Sequence, residues 1–204
     1  MKINECFESI QGEGRHIGIP MLFIRCSGCT RTCDFCDTKY HTEGKEIKNR
    51  EVLEAIENTK QKIICFTGGE PLLQMKDIID IQLALSEENI KQFHIETNGD
   101  LIDKDDIVWF EYWAVSPKTK ESAERAIKIL SAYEKDRYDI KIVTDLETIG
   151  LDMLEYATCL MPLTTYNKKK DLEIMKKVWH YCVENNLRYS PRLQNLIYGK
   201  KKGI

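Results

Sequence analysis

The sequence lacks the features by which membrane, secreted and nucleic-acid-binding proteins are commonly recognised. None of its apolar runs approaches the roughly 20 residues that a membrane-spanning helix needs. Its first residues, MKINE, contain no apolar segment of the kind found in secretory signals. The 30 lysines and arginines are offset by 33 aspartates and glutamates, so the net charge of −3 offers no broad basic surface for DNA or RNA. We therefore expect a cytoplasmic protein that acts on neither membranes nor nucleic acids.

The pattern of apolar residues indicates an α/β fold. The chain has 204 residues, a length that predicts one domain over residues 1–204. Short apolar runs predict strands at residues 21–26, 62–67, 92–97, 112–116, 138–143, 158–162 and 187–191. Helical periodicity predicts helices at residues 51–59, 76–86, 120–132, 146–157 and 172–185. This alternation is typical of a parallel sheet with outer helices. Because a complete eightfold barrel takes about 250 residues, we expect an abbreviated, partial (β/α) barrel of about six strands.

Eight cysteines are the most informative part of the composition. Without a secretory signal a disulfide framework is not expected, because the cytosol keeps thiols reduced. Cys29, Cys33 and Cys36 follow the first predicted strand with the spacing CxxxCxxC. Three thiolates at this spacing favour an iron–sulfur cluster with one iron left open to a ligand. A structural zinc site is the alternative, with Cys26 or His41 as its fourth ligand.

The cysteine motif resembles that of the radical S-adenosylmethionine (SAM) enzymes, as does Gly68-Gly69-Glu70-Pro71 after the next strand. In that superfamily the open iron of a [4Fe–4S] cluster binds SAM. The reduced cluster then cleaves SAM to methionine and a 5′-deoxyadenosyl radical. The resemblance implies that Cys29, Cys33 and Cys36 ligate the cluster. It also implies SAM contacts by Phe35, Asp37, Gly68, Gly69, Glu70, Thr97, Ser116 and Lys118.

The N-terminal segment narrows the resemblance to one branch. Residues 7–14, FESIQGEG, and residues 190–193, SPRL, are similar to the 7-carboxy-7-deazaguanine synthases, which make the deazapurine core of queuosine. This similarity implies a base pocket lined by Ile10, Gln11, Gly12, Arg25, Thr67 and the terminal carboxylate of Ile204. It further implies Mg²⁺ at Thr38, a reductant such as flavodoxin or ferredoxin, and a homodimer.

The residue chemistry is consistent with such a pocket. A guanine-like edge presents hydrogen-bond donors and acceptors together, which Gln11, Glu13 and Thr67 can match. Arg25 can pair with an acidic or carbonyl group of the substrate. A surface turn is the competing interpretation of residues 11–14, because their two glycines suit a turn equally well.

Departures from the family pattern bear on the reaction. Thr30-Arg31-Thr32 replaces the Asn-Leu-x usual between the first two cluster cysteines, and Asn98 replaces a usual serine. Gln194 and Tyr198 stand where relatives often carry His or Trp. A lyase on the same scaffold splits queuine to release 7-aminomethyl-7-deazaguanine, and Gln194 and Tyr198 would suit the cyclopentenediol of that substrate.

Three functions therefore remain open at the level of sequence. We favour queuine lyase over the synthase reaction, in which 6-carboxy-tetrahydropterin undergoes hydrogen abstraction, ring contraction and loss of ammonia. A glycyl-radical activase that acts on a partner protein is the alternative of another class. It would share the cysteine and glycine motifs but would not need the Gln-Gly-Glu-Gly segment at residues 11–14.

Overall fold

The computed structural model describes residues 1–36, 38–86 and 88–204. Within these residues, strands β1 to β9 form one sheet in the order β3-β1-β2-β4-β5-β6-β7-β8-β9. In chain order they are β1 (Lys2–Ile10), β2 (Pro20–Cys26), β3 (Lys45–Glu46), β4 (Ile63–Gly68), β5 (Gln92–Thr97), β6 (Tyr112–Val115), β7 (Tyr138–Thr144), β8 (Cys159–Pro162) and β9 (Arg188–Tyr189). β2 and β4 to β9 pair in parallel, whereas β1 pairs antiparallel with both β2 and β3. The predicted parallel sheet is thus confirmed, with more strands than the six expected.

Four of the five α-helices in the described residues lie between strands along the chain, and the fifth follows the last strand. They are α1 (Asn49–Asn58), α2 (Met75–Ala84), α3 (Lys120–Leu130), α4 (Lys168–Glu184) and α5 (Leu193–Tyr198). α3 and α4 begin where the side chains of Thr119 and Asn167 accept the backbone N–H groups of Ser122 and Lys170. Among the described helices, none combines the length and the apolar character needed to cross a bilayer.

The two faces of the parallel strands differ in chemistry, because successive residues of a strand point to opposite faces. On one face, apolar side chains such as those of Ile64 and Ile142 are fully buried in a core shared with the helices. On the other face, polar side chains follow the same strands, among them Thr67, Glu96 and Lys141. The interior of the partial barrel is therefore polar at the carboxyl ends of its strands.

The structure contradicts the helix predicted at residues 146–157. Only a 3₁₀ helix, Leu151–Tyr156, forms in that region. The Asp145 carboxylate accepts the backbone N–H groups of Glu147, Thr148 and Ile149. Such bonds compete with the backbone hydrogen bonds of a helix, and they turn the chain before a helix can begin.

Among the described strands and α-helices, three had no sequence prediction, namely β1, α5 and the two-residue strand β3. In β1 only Ile3 is fully buried, so polar residues interrupt the apolar alternation by which a strand is recognised. α5 spans six residues and buries none of them, so it lacks an apolar face that sequence could reveal.

We predict that Ile64→Ala destabilises the protein by about 2–5 kcal/mol, because it leaves a cavity beside β4. Ile90, which is 86% exposed, provides the matched control. Ile90→Ala should change the free energy of unfolding by less than about 0.5 kcal/mol. Urea unfolding of both variants measures the difference, and equal losses would contradict the assignment of this core.

Candidate active site

The carboxyl ends of the parallel strands open onto a cavity of about 210 Å³, here called the central cavity. It is lined by the cysteine loop (residues 28–36), by the ends of β2 and β4 to β8, and by Glu13, Arg192 and Gln194. A wider outer cleft, of about 760 Å³, shares Arg25 and Gln194 with the central cavity and is bounded by residues 199–204. Ligand sites of parallel α/β folds lie at this end of the strands.

The thiols of Cys29, Cys33 and Cys36 line one wall of the central cavity and are partly exposed. The other cysteines lie elsewhere, with Cys6 exposed and Cys26, Cys65, Cys159 and Cys182 buried. Burial raises the pKa of both Cys26 and Cys159 to about 12, so these thiols remain protonated at neutral pH. The structure thus separates the three predicted ligands from the five remaining cysteines.

The donor set fits an iron–sulfur cluster better than a single zinc ion. Within residues 1–36, 38–86 and 88–204, no three Cys, His, Asp or Glu side chains converge closely enough to hold one metal ion. Cys26 is completely buried in β2, although His41 does line the central cavity. Three soft sulfur donors spread along one wall suit a cluster, in which each thiolate ligates a different iron.

The turn after β4 lies directly against the cysteine loop. The N–H of Gly69 donates to the Cys26 carbonyl at 3.2 Å, and the N–H of Glu70 donates to the Gly28 carbonyl at 2.8 Å. A Cβ atom on Gly69 would overlap the Gly28 carbonyl oxygen, and one on Gly68 would overlap that of Cys26. Two glycines are therefore required for this backbone-to-backbone contact.

Glu70, which the resemblance implied as a SAM contact, does not line the central cavity. Its buried carboxylate accepts the N–H groups of Leu72 and Asn98, at 3.1 and 2.8 Å, and the hydroxyl of Thr97 at 2.7 Å. Burial raises the pKa of Glu70, because desolvation outweighs these hydrogen bonds. This side chain joins the glycine turn to the end of β5. Glu70 therefore positions residues that line the cavity and does not line it itself.

The remaining residues implied as SAM contacts surround the same space. Those that line the central cavity are Phe35, Gly68, Gly69, Thr97, Ser116 and Lys118. The Lys118 ammonium donates to the Ser116 hydroxyl at 2.9 Å, so a cation and a hydroxyl reach the cavity together. Asp37 lies outside the described residues. SAM binding by this set stays a prediction, to which the structure adds their common location.

A buried ion network, formed by Glu13, Glu96, Lys141 and Arg192, lies at the inner end of the cavity. The Lys141 ammonium is 3% exposed and lies 2.9 Å from Glu13 Oε2 and 3.7 Å from Glu96 Oε1. Arg192 Nε lies 3.7 Å from Glu13 Oε1. Burial disfavours both charged forms, but the opposite charges outweigh it. The pKa of Glu13 is lowered to about 2, and the pKa of Lys141 is raised above its ordinary value.

Several residues implied or proposed as base contacts are bonded to this network. Gln11 Nε2 and Thr67 Oγ1 donate to the Glu96 carboxylate at 3.0 and 2.7 Å. Gln194 Nε2 donates to Glu13 Oε1 at 2.9 Å. A Cβ atom at position 12 would overlap Gln194 Oε1, so Gly12 allows this amide to approach. Gln11, Glu13, Thr67 and Gln194 of the predicted set are therefore connected by hydrogen bonds and ion pairs, although Gln11 and Gly12 do not themselves line the central cavity.

The other predicted substrate and metal contacts differ in where they lie relative to the two spaces. Arg25 lines both spaces and donates from Nε to Glu5 Oε2 at 2.8 Å. Thr38 also lines both spaces, and Ile204 lines the outer cleft. The structure places Ile10 and Tyr198 elsewhere, since their side chains are 51% and 53% exposed and line neither space. Ile10 ends the antiparallel strand β1, and Tyr198 ends α5 on its solvent side.

Three residues of the network were absent from the predicted base-contact set, namely Glu96, Lys141 and Arg192. The available signal was an ionisable residue inside an otherwise apolar strand, as in the sequences QFHIET of β5 and YDIKIVT of β7.

Comparison with known proteins agrees with this geometry. The family described as the Radical SAM superfamily matches residues 23–144. The solved structure of QueE from Escherichia coli is 18% identical, with a TM-score of 0.57 over 94% of this chain and 93% of that one. A structure described as native anSMEcpe with bound AdoMet is 21% identical, with a TM-score of 0.57 over 87% of this chain and 66% of that one. The family match over residues 23–144, together with the fold, identifies a radical SAM enzyme, a class whose cofactors are a [4Fe–4S] cluster and SAM.

Sequence relatives identify the branch. The 7-carboxy-7-deazaguanine synthase of Thermoplasma acidophilum is 32% identical over 100% of both chains. The protein of the same name from Hyperthermus butylicus is 30% identical over 97% of this chain and 92% of its own. The chain belongs to the radical SAM superfamily and, within it, to the family of proteins named 7-carboxy-7-deazaguanine synthase.

We predict that Lys141→Met destabilises the protein by about 1–3 kcal/mol, because it leaves the half-buried carboxylates of Glu13 and Glu96 without their ammonium partner. Lys177, whose ion pair with Glu147 is exposed, supplies the control. Lys177→Met should cost at most about 1 kcal/mol. Urea unfolding at neutral pH compares the two, and similar losses would argue against an essential buried ion network.

The network also predicts a difference at acid pH. The pKa of Glu13 falls from its ordinary value of 4.5 to about 2 in the folded protein. A lowered folded-state pKa contributes stability that is present above the unfolded-state pKa and is lost as the pH falls through the folded-state value. Glu13→Gln should therefore lose less stability than the unaltered protein between about pH 4.5 and pH 2. Urea titrations across that range measure both slopes, and identical slopes would contradict the prediction.

Proposed function

We propose that this enzyme is a 7-carboxy-7-deazaguanine synthase, which converts 6-carboxy-tetrahydropterin into 7-carboxy-7-deazaguanine with release of ammonia. The observation that carries the proposal is the relationship to the Thermoplasma acidophilum protein of that name, at 32% identity over the full length of both chains. Such coverage includes the cysteine loop, the strand ends and the C-terminal segment that meet at the central cavity. The product is the deazapurine core from which queuosine is made.

The preference for queuine lyase has no support from the relatives, and its two residues do not form a diol site. The amide of Gln194 is engaged with Glu13 at 2.9 Å, and its Oε1 is buried without a hydrogen-bond partner among the described atoms. Tyr198 is largely exposed and lies outside both spaces. We therefore place the synthase reaction first and the lyase second. No observation favours a glycyl-radical activase.

The polar surface suits a pterin that carries a carboxylate. Gln11 and Thr67 hold the Glu96 carboxylate in one orientation, so its lone pairs are aimed before a ligand arrives. Such preorganisation lowers the cost of positioning a substrate. Arg25 and Arg192 line the same cavity and provide guanidinium groups, which match carboxylates in shape and charge. A small, flat, acidic substrate could thus place its ring N–H groups against the Glu96 carboxylate and its own carboxylate against a guanidinium group.

In this proposal the cofactors bind at the part of the cavity formed by the cysteine thiols and by the backbone of the glycine turn. When bound to Cys29, Cys33 and Cys36, a [4Fe–4S] cluster would supply the electron that SAM cleavage requires. The Gly68-Gly69 turn holds the cysteine loop against β4, and the Lys118 ammonium lies with Ser116 at the cavity wall. We retain Mg²⁺ at Thr38 as part of the proposal, because this hydroxyl lines both the central cavity and the outer cleft.

The proposal keeps three expectations from the family resemblance. A flavodoxin or ferredoxin is proposed as the electron donor. We also propose a homodimer and a cytoplasmic location. We also propose that residues 1–204 form a single domain.

We predict that the reconstituted protein consumes 6-carboxy-tetrahydropterin and not queuine. The iron- and sulfide-loaded protein is incubated anaerobically with SAM and dithionite, and each compound is offered separately. Mass spectrometry should detect 5′-deoxyadenosine and 7-carboxy-7-deazaguanine from the pterin alone. Release of 7-aminomethyl-7-deazaguanine from queuine would instead restore the lyase, and no base product from either compound would overturn both assignments.

Two cysteine variants separate the cluster from general effects on folding. Cys33→Ala should abolish turnover and reduce bound iron, because it removes one of three cavity thiols. Cys6→Ser alters an exposed thiol on β1 and should leave both quantities unchanged. Equal iron binding by the two variants would contradict the ligand assignment.

A further inference from the structure

The two unusual sequence features near the cluster motif, Thr30-Arg31-Thr32 and Asn98, contact one another in the folded chain. Asn98 lies just after β5, 68 residues from Thr30 along the chain, yet its Nδ2 donates to Thr30 Oγ1 at 2.8 Å. Where relatives usually carry a serine, this chain therefore has an amide that reaches the cysteine loop. The pairing of these departures indicates a shared structural role.

Asp100 anchors the same part of the cysteine loop. Arg31 donates to both carboxylate oxygens of Asp100, from Nε and Nη2, each at 2.7 Å. Thr30 Oγ1 donates to Asp100 Oδ2 at 2.7 Å, and Ser122 Oγ donates to the other oxygen. A bidentate guanidinium–carboxylate pair fixes distance and orientation together. The backbone between Cys29 and Cys33 is thereby held to the end of β5 and the first turn of α3.

The orientation of the Asn98 amide is determined by its other bonds. The backbone N–H of Asn98 donates to Glu70 Oε2 at 2.8 Å, and its Oδ1 accepts the N–H of Asp100 at 2.9 Å. Because Oδ1 accepts from a backbone donor, Nδ2 must be the atom that faces the cysteine loop. Nδ2 lies 3.8 Å from Cys29 Sγ, within the range of an N–H···S hydrogen bond.

We propose that Asn98 is a positioning residue for the cluster: its Nδ2 donates one N–H to Thr30 and the other to the Cys29 thiolate, and the second bond raises the reduction potential of the cluster. Hydrogen bonds to ligating sulfurs are among the factors that set such potentials. The bond stabilises the reduced state more than the oxidised state, because reduction adds one negative charge that the thiolates share. This inference requires a cluster at Cys29, Cys33 and Cys36 but does not depend on which base the enzyme processes.

The test is a redox titration of the reconstituted protein, followed by electron paramagnetic resonance of the reduced cluster. In Asn98→Ser, the ratio of reduced to oxidised cluster at a fixed solution potential should fall about threefold to tenfold, where tenfold equals 59 mV for one electron. Asn98→Asp should lower the ratio further, since it replaces the N–H donor by an oxygen. Ser122→Ala weakens the Asp100 anchor without touching the amide, so its potential should stay that of the unaltered protein.

The outcomes distinguish this inference from the proposed function. If the cluster assembles and Asn98→Ser leaves the potential unchanged, or shifts it no more than Ser122→Ala does, the amide-to-sulfur bond is wrong while the synthase reaction stands. If the unaltered protein assembles no cluster, both proposals fail.

A second measurement covers the case in which Asn98→Ser loses its cluster. Pulsed paramagnetic resonance of the unaltered protein, with ¹⁵N-labelled asparagine, should detect a nitrogen and an exchangeable proton coupled to the reduced cluster. Absence of both couplings would overturn the inference.

Discussion

The buried ammonium of Lys141 is the interaction on which the rest of the site depends. A charge removed from water must be paired, so the folded chain has to bring carboxylates to β7. Glu13 lies in the loop after β1, 128 residues away in sequence, and Glu96 lies on β5, which β6 separates from β7 in the sheet. Glu13 in turn holds Gln194, 181 residues further along the chain. One cation thus joins the N-terminal loop, the sheet and the C-terminal segment around one cavity.

The end of β5 connects this ion network to the cysteine loop. Three consecutive residues make the connection. Glu96 forms an ion pair with Lys141, and Thr97 donates a hydrogen bond to Glu70. Asn98 donates to Glu70 from its backbone N–H and to Thr30 from its side chain. Alternation along the strand explains how neighbours in sequence serve different parts of the site. The ion network and the cysteine loop are therefore both attached to the end of one strand, β5, which lies in the middle of the sheet.

Glycine has a structural role here that differs from the one first considered. The family resemblance implies that Gly68 and Gly69 contact SAM, and both do line the cavity. Their missing side chains are also needed for contact with the carbonyl groups of Cys26 and Gly28. Close approach of two backbones explains the motif without any ligand, and it places the cysteine loop at a fixed distance from β4.

Prediction from the sequence succeeded where the signal was local. Every strand predicted for the parallel sheet is present, and runs of four apolar residues, such as residues 21–24 in β2 and 63–66 in β4, are typical of strands covered on both faces. It failed at residues 146–157, where the Asp145 side chain captures the N–H groups that a helix would need. The period of the apolar residues gives no sign of this competition, because it depends on hydrogen bonds from the backbone to a single carboxylate in a turn.

By itself the sequence determined the fold class and the family, and it predicted the cluster ligands. Cysteines spaced within eight residues must share a loop whatever the remainder of the chain does, and full-length similarity needs no coordinates. Only the tertiary structure decided which charges meet in the cavity and which presumed contacts, such as Ile10, Glu70 and Tyr198, lie outside it. The pairing of Glu13 with Lys141, 128 residues apart, depends on the order of the strands and on the face of the sheet to which each side chain points. Neither can be deduced from the spacing of residues along the chain.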